Sequence, residues 1–201
     1  MIVFLEALLL RASRGVASRC RLWFYRRLGL HLGSRNRMEG GGRLRRCSQI
    51  VIGDYNSFTQ GCWLWPEDAD FAGIRIRIGN SNYFNRNLMI DACGVVEIGD
   101  RNIIGPDVYI TDSNHQFGDC AAPGLLPMTR GSVRIGNCCW IGAKAVILKD
   151  VVLGDGCVVG AGAVVTRAVA VGEVVVGVPA RVVSRGRKDL LISENSLPND
   201  E

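Results

Sequence analysis

The chain has 201 residues, 48% hydrophobic and 21% charged, enough for one substantial core; its 25 glycines, set against only 6 prolines and lacking a three-residue period, exclude a collagen-like chain and point to many turns. The net charge of +5 is concentrated at the N-terminus, where residues 1–46 hold eleven arginines against Glu6 and Glu39, and the mildly acidic remainder argues against a nucleic-acid groove. Eight cysteines without a C-x-x-C pair and only two histidines, His31 and His115, argue against a metal site and for free thiols in a reducing cytoplasm.

Residues 1–46 read as a basic helical segment. IVFLEALLL and RLWFYRRLGLHL, separated near Gly15, predict two short helices. The first apolar stretch precedes its arginines, contains Glu6 and is too short to span a bilayer, so no secretory signal is expected. Two roles remain open for the segment. It can cap the structure that follows, or it can meet an anionic membrane surface through arginines and Trp23, Phe24 and Tyr25. His31 is read as incidental.

A six-residue period follows. Ile52, Ile78, Ile98, Ile135, Leu153 and Val171 open successive coils, and the run from Ile135 reads IGNCCW, IGAKAV, ILKDVV, LGDGCV, VGAGAV, VTRAVA. Six matches neither the helix nor the hairpin, but it suits a coil with three short flat faces, inward aliphatics and small residues at the corners. Three hexads make a turn of 18 residues, so Ile135, Leu153 and Val171 should stack. Cys139 and Cys157, also 18 apart, should stack as buried thiols. The predicted fold is therefore an all-β solenoid, a parallel β-helix over residues 47–183, followed by a polar tail over 184–201.

The separations between coil openings exceed 18 most strongly between Ile98 and Ile135, placing an outward loop at residues 116–134. His115, in TDSNHQF, is the last residue before it.

The stretches IGNCCWIGAKAVI, GDGCVVGAGAVVT and GVPARVV strongly resemble the hexapeptide-repeat O-acetyltransferases, a group that includes the maltose and galactoside enzymes and those modifying bacterial surface polysaccharides. The resemblance extends back to about Ile52. It implies a left-handed coil, although general crossover rules favour the other hand. It implies acetyl-CoA as co-substrate, no metal, and a homotrimer with sites between subunits.

The same resemblance implies that His115 is the general base, taking the proton of an acceptor hydroxyl as that oxygen attacks the thioester. Asn85, in FNRNL, matches an asparagine that contacts the acceptor and positions the histidine. At Cys93 the sugar-specific enzymes carry an acceptor-binding aspartate, and Asp91 lies two positions away, so Asn85, Asp91 and Cys93 are the candidate acceptor residues. The coenzyme groove would involve Trp140, Gly142, Ala143, Ala161, Thr166, Arg167, Pro179 and Arg181, with the Ala143 amide as oxyanion donor. No cysteine falls at a matching catalytic position, so direct transfer is expected over an acyl-cysteine intermediate.

The expected reaction is acetylation of a saccharide hydroxyl, on a surface-polysaccharide or lipid-linked precursor, by a cytoplasmic enzyme able to lie on the inner face of the membrane. The alternatives are N-acetylation of an amino-sugar nucleotide or antibiotic, and a non-catalytic β-helix scaffold. The zinc-dependent carbonic anhydrase relatives of the fold need three histidines and are excluded.

Overall fold

The computed structural model describes residues 2–67, 73–116 and 126–185, with side chains from Gly15 onward. An α-helix, α1 (Ile2–Arg27), leads into a parallel β-coil with three faces. The first face stacks His31–Leu32, Ile50–Ile52, Ile76–Ile78, Val95–Ile98, Ser132–Ile135 and Val152–Leu153. The second runs from Arg37–Met38 through Ser57–Phe58, Tyr83–Phe84, Ile103–Ile104, Trp140–Ile141 and Val158–Val159 to Glu173–Val176, where Arg181–Arg185 folds back antiparallel. The third stacks Arg43–Leu44, Trp63–Pro66, Met89–Ala92, Tyr109–Thr111, Val146–Ile147 and Val164–Val165.

The hexad pattern produces this because each two- to four-residue strand alternates its side chains between core and solvent. Ile52, Ile78, Ile98, Ile135 and Leu153 are in register on the first face, and all are buried. Phe58 and Phe84 fill the second, their rings stacked at 4.5 Å. Each inward isoleucine or leucine contributes about 2 kcal/mol by leaving water.

The corner between the first and second faces carries a buried amide ladder. Asn56, Asn82 and Asn102 each donate the backbone N–H to the side-chain oxygen of the asparagine one coil earlier, beginning with Asn36, at 2.8–3.0 Å. Cys139 continues the ladder by donating its N–H to Asn102 Oδ1 at 2.7 Å. Cys139 and Cys157 then occupy the same corner, both buried. A hydrogen bond with the free Cys157 thiol, together with burial, pushes the Cys139 thiol up.

Four expectations need correction. The predicted break near Gly15 is absent: α1 runs through it unbroken. A mid-helix glycine costs only about 1 kcal/mol, and α1 is held onto the coil downstream by buried Leu22, by Ser18 Oγ accepting the Met38 N–H at 2.9 Å, and by Arg21 donating to the Met38 carbonyl at 2.6 Å. The coil also begins before residue 47. Leu32-Gly33, Met38 and Leu44 form a first turn whose hexads are obscured in sequence by arginines at outward positions. Val171 is 74% exposed and does not stack on Leu153; Val169 does. The corner after Val165 is two residues shorter than the hexad rule allows, which moves the inward position. At the other end, Ser184 and Arg185 belong to the final strand rather than to the tail, and residues 186–201 lie outside the described residues.

Candidate active site

Beyond Tyr109–Thr111 the chain leaves the coil, and Ser113–His115 pairs antiparallel with Met128–Arg130, so His115 stands opposite Met128 on a two-stranded outcrop. The excursion is therefore shifted from the predicted 116–134: it opens with Ser113–His115 and closes with Met128–Arg130, Ser132–Ile135 is already a strand of the first face, and 117–125 lie outside the described residues. His115 is exposed and lines a cavity of 470 Å³ with Glu67, Cys93, Pro127, Met128 and Arg130.

The floor beneath this cavity is polar and buried. Asp112, fully buried, accepts the N–H groups of Cys93 at 2.8 Å and Gly94 at 2.9 Å, tying the neighbouring coil to the root of the His115 strand. Burial raises its carboxyl above the ordinary value; those two N–H groups, and the buried guanidinium of Arg75, oppose the rise. Cys93 is likewise buried and its thiol is raised by desolvation, against a hydrogen bond with Ser113. A thiol so placed is a poor nucleophile.

Asp91 is not among the residues lining the cavity. It sits on the outer side of the third face, between Trp65 and Thr111 in register, and its Oδ2 accepts the Tyr109 hydroxyl at 2.8 Å. Burial raises the Asp91 carboxyl, and burial together with this carboxylate pushes Tyr109 up to about 12. Of the two acceptor candidates two positions apart, only Cys93 shares the cavity with His115.

Asn85 is also absent from that cavity. It occupies the corner after the second face, where Asn85, Gly105 and Gly142 each donate a backbone N–H to the next coil at 2.7–2.9 Å. Its side-chain oxygen accepts the N–H of Arg86, as expected of a corner asparagine. The His115 outcrop instead follows the third face. Within one chain, Asn85 therefore lies on the side of the coenzyme candidates Gly142 and Ala143, not on the side of the histidine.

The coenzyme candidates fall into two groups. Gly142, Ala143 and Ala161 stack at that same corner. A Cβ on Gly142 would come within 2.5 Å of the Ala161 nitrogen, so close coil packing alone demands glycine there. The Ala143 N–H makes no hydrogen bond among the described residues. Trp140, 57% exposed, projects from the adjoining second face beside Ile103 and Val158. Arg167 and Arg181 come together along a 200 Å³ cavity at the C-terminal end of the coil, with Thr166 and Pro179 exposed nearby in sequence.

Glu67, Arg130 and Asp112 escaped the sequence reading. Glu67 was legible in principle, since Trp63, Trp65 and Glu67 alternate along one outward row. Arg130 and Asp112 carry no periodic signal, because they belong to the departure from the coil.

Comparisons with known proteins fit this architecture. Residues 132–167 match the bacterial transferase hexapeptide family, described as six repeats. No curated protein matches the chain in sequence. Among solved structures, a variant of AntD, an N-acyltransferase from Bacillus cereus in complex with dTDP and coenzyme A, is 20% identical, covers 84% of this chain and 91% of its own, and superposes with a TM-score of 0.70. A hexapeptide-repeat acetyltransferase from Vibrio cholerae O1 biovar eltor, complexed with acetyl coenzyme A, is 23% identical over 82% of this chain and 75% of its own, with a TM-score of 0.60. A galactoside acetyltransferase in complex with coenzyme A is 25% identical over 79% of this chain and 66% of its own, with a TM-score of 0.55. Residues 132–167 thus carry the bacterial transferase hexapeptide repeat, set within the fold that hexapeptide-repeat acetyltransferases share.

Proposed function

We propose that this protein transfers an acetyl group from acetyl-CoA to a hydroxyl of a saccharide, with His115 as general base. The observation that carries the reading is the position of His115, at the mouth of a 470 Å³ cavity where the chain leaves the repeat. The coenzymes bound to the solved structures of similar fold support acetyl-CoA as donor. The same likeness supports a left-handed coil.

In this mechanism the acceptor oxygen attacks the thioester carbonyl as His115 takes its proton. The tetrahedral oxyanion is held by the unpartnered N–H of Ala143, and collapse expels the coenzyme thiolate, which recovers the proton. His115 and Ala143 lie on different edges of one coil, so the site is completed between copies, in keeping with a homotrimer. Asn85 would then face the histidine of a neighbouring copy, and Trp140, Ala161, Thr166, Arg167, Pro179 and Arg181 would line the coenzyme groove. No step needs a metal or an acyl-cysteine.

An N-acetyl acceptor is the second reading. It is favoured by Glu67, an acidic residue among those lining the cavity, and by the N-acyltransferase among the similar structures. The deciding experiment measures release of free coenzyme thiol from acetyl-CoA across hydroxyl and amino sugars, free, nucleotide-linked and lipid-linked. His115→Ala should lower turnover by about two to four orders of magnitude while acetyl-CoA affinity stays unchanged. Near-normal turnover in that variant would remove His115 from the chemistry, and failure of any acceptor together with absence of acetyl-CoA binding would leave a scaffold.

A further inference from the structure

The outer side of the third face leads from the first coil into the His115 cavity. Trp63, Trp65 and Glu67 alternate on that side, and Glu67 lines the cavity. One coil earlier, Arg43 stands in register with Trp63. The Arg43 guanidinium lies 5.4 Å from the Trp63 ring centre and that of Arg45 lies 4.8 Å from the Trp65 ring centre, while the two indoles stack at 5.6 Å. Arg45 also pairs with Glu67 at 3.7 Å, and Arg46 donates to the carbonyls of Pro66 and Glu67 at 2.8 and 2.5 Å. These contacts orient two forked cations on one rigid surface, Arg43 on the strand Arg43–Leu44 and Arg45 just beyond its end.

We infer that Arg43 and Arg45, laid over Trp63 and Trp65, form a subsite for the diphosphate of an acceptor sugar whose reactive group enters the His115 cavity. This rests on the saccharide acetyltransferase reading and narrows its acceptor to a sugar diphosphate. Three features support that class. Guanidinium groups pre-oriented by an aromatic face lose little freedom on binding phosphate oxygens. Two forked cations side by side can each take the oxygens of one phosphate of a linked pair. The row runs from the first coil to the coil of Tyr109–Thr111, three inter-strand spacings or roughly 14 Å, with Asp91 on it turned to the Tyr109 hydroxyl, and the His115 outcrop follows directly. A nucleotide carrier and a polyprenyl carrier both present this diphosphate.

The test is calorimetric titration of the full-length protein with inorganic pyrophosphate, with coenzyme A present at saturation to fill any coenzyme phosphate site. The parent should bind, more weakly as salt rises. Changing Arg43→Gln and Arg45→Gln together should weaken binding about tenfold or more, with coenzyme A affinity unchanged. Arg43→Lys with Arg45→Lys, which keeps the charge but not the planar fork, should fall between them and serves if the glutamine variant folds poorly. A uridine diphosphate sugar or a short-chain polyprenyl diphosphate sugar should displace pyrophosphate, and the tighter competitor identifies the carrier. Absence of binding by the parent, equal binding by the parent and the glutamine variant, or displacement by neither competitor would overturn the subsite. So would loss of oligomer in the glutamine variant without change in pyrophosphate affinity, since a second copy of the chain would then cover this face. If coenzyme A does not bind the parent, the acetyltransferase reading fails while the pyrophosphate result stands by itself.

Discussion

Asp112 accepts the backbone N–H groups of both Cys93 and Gly94, at 2.8 and 2.9 Å, and so ties the coil that carries Cys93 to the strand that carries His115. An amide at position 112 offers one acceptor oxygen in place of two and removes the negative charge near buried Arg75. Asp112→Asn should therefore lower stability by about 3 kcal/mol, the range for unbalancing a buried charge, and should reduce turnover further than acetyl-CoA binding. Chemical denaturation and initial rates measure both. A variant as stable and active as the parent would show that the outcrop is positioned by other contacts.

Asp91 provides a pH signature. Burial raises its carboxyl above the ordinary value despite the Tyr109 hydrogen bond, so the folded protein holds that proton more tightly than the unfolded chain does. The stabilisation from this is complete below the unfolded value and is lost as pH rises through the folded one. Asp91→Asn, which keeps an acceptor for Tyr109, should melt higher than the parent at neutral pH, with the gap closing toward acid. Thermal melts across that range decide, and a variant less stable than the parent at neutral pH would mean that the carboxylate is held by favourable partners.

The amide ladder makes a stability prediction remote from the site. Asn102 is fully buried, and its Oδ1 is the acceptor for the Cys139 N–H. Asn102→Ala strands that donor and opens a void, for an expected loss of about 2 to 3 kcal/mol. The midpoint of urea unfolding should fall while the slope stays constant.

α1 presents two surfaces. Leu22, Ser18 and Arg21 engage the first coil, whereas Trp23 and Phe24, with Leu28 just past the helix end, are 60%, 53% and 52% exposed. No helix among the described residues is long and apolar enough to cross a membrane. We propose that the exposed surface meets an anionic membrane while the other caps the coil. Full-length protein should sediment with anionic vesicles and be released by salt. Arg26 donates to the carbonyls of Leu32 and Gly33 and is part of the cap, so the informative variant is Trp23→Ala with Phe24→Ala, which should lose vesicle binding and keep its melting temperature. Equal sedimentation of variant and parent would leave the cap as the whole role of this surface.

The sequence alone determined the coil. A period of six with aliphatic residues at its first position can satisfy burial only by winding three short strands per turn, and the buried register Ile52, Ile78, Ile98, Ile135 and Leu153 follows from counting. It also located a departure close to His115, because an insertion in a solenoid must leave the core, although Ser113–His115 already belongs to the outcrop rather than ending the coil. Where the period was weak, counting failed: outward arginines hid the turn through Leu32, Met38 and Leu44, and a shortened corner gave Val169 the inward place assigned to Val171. Only the tertiary structure decided which polar residues meet. Glu67, Cys93, His115 and Arg130 are brought together by the stacking of coils and the folding of the outcrop, and Asp112 supports them through backbone N–H groups of another coil. Those contacts join residues far apart in sequence and obey no repeat, whereas the core depends on a local pattern that each hexad restates.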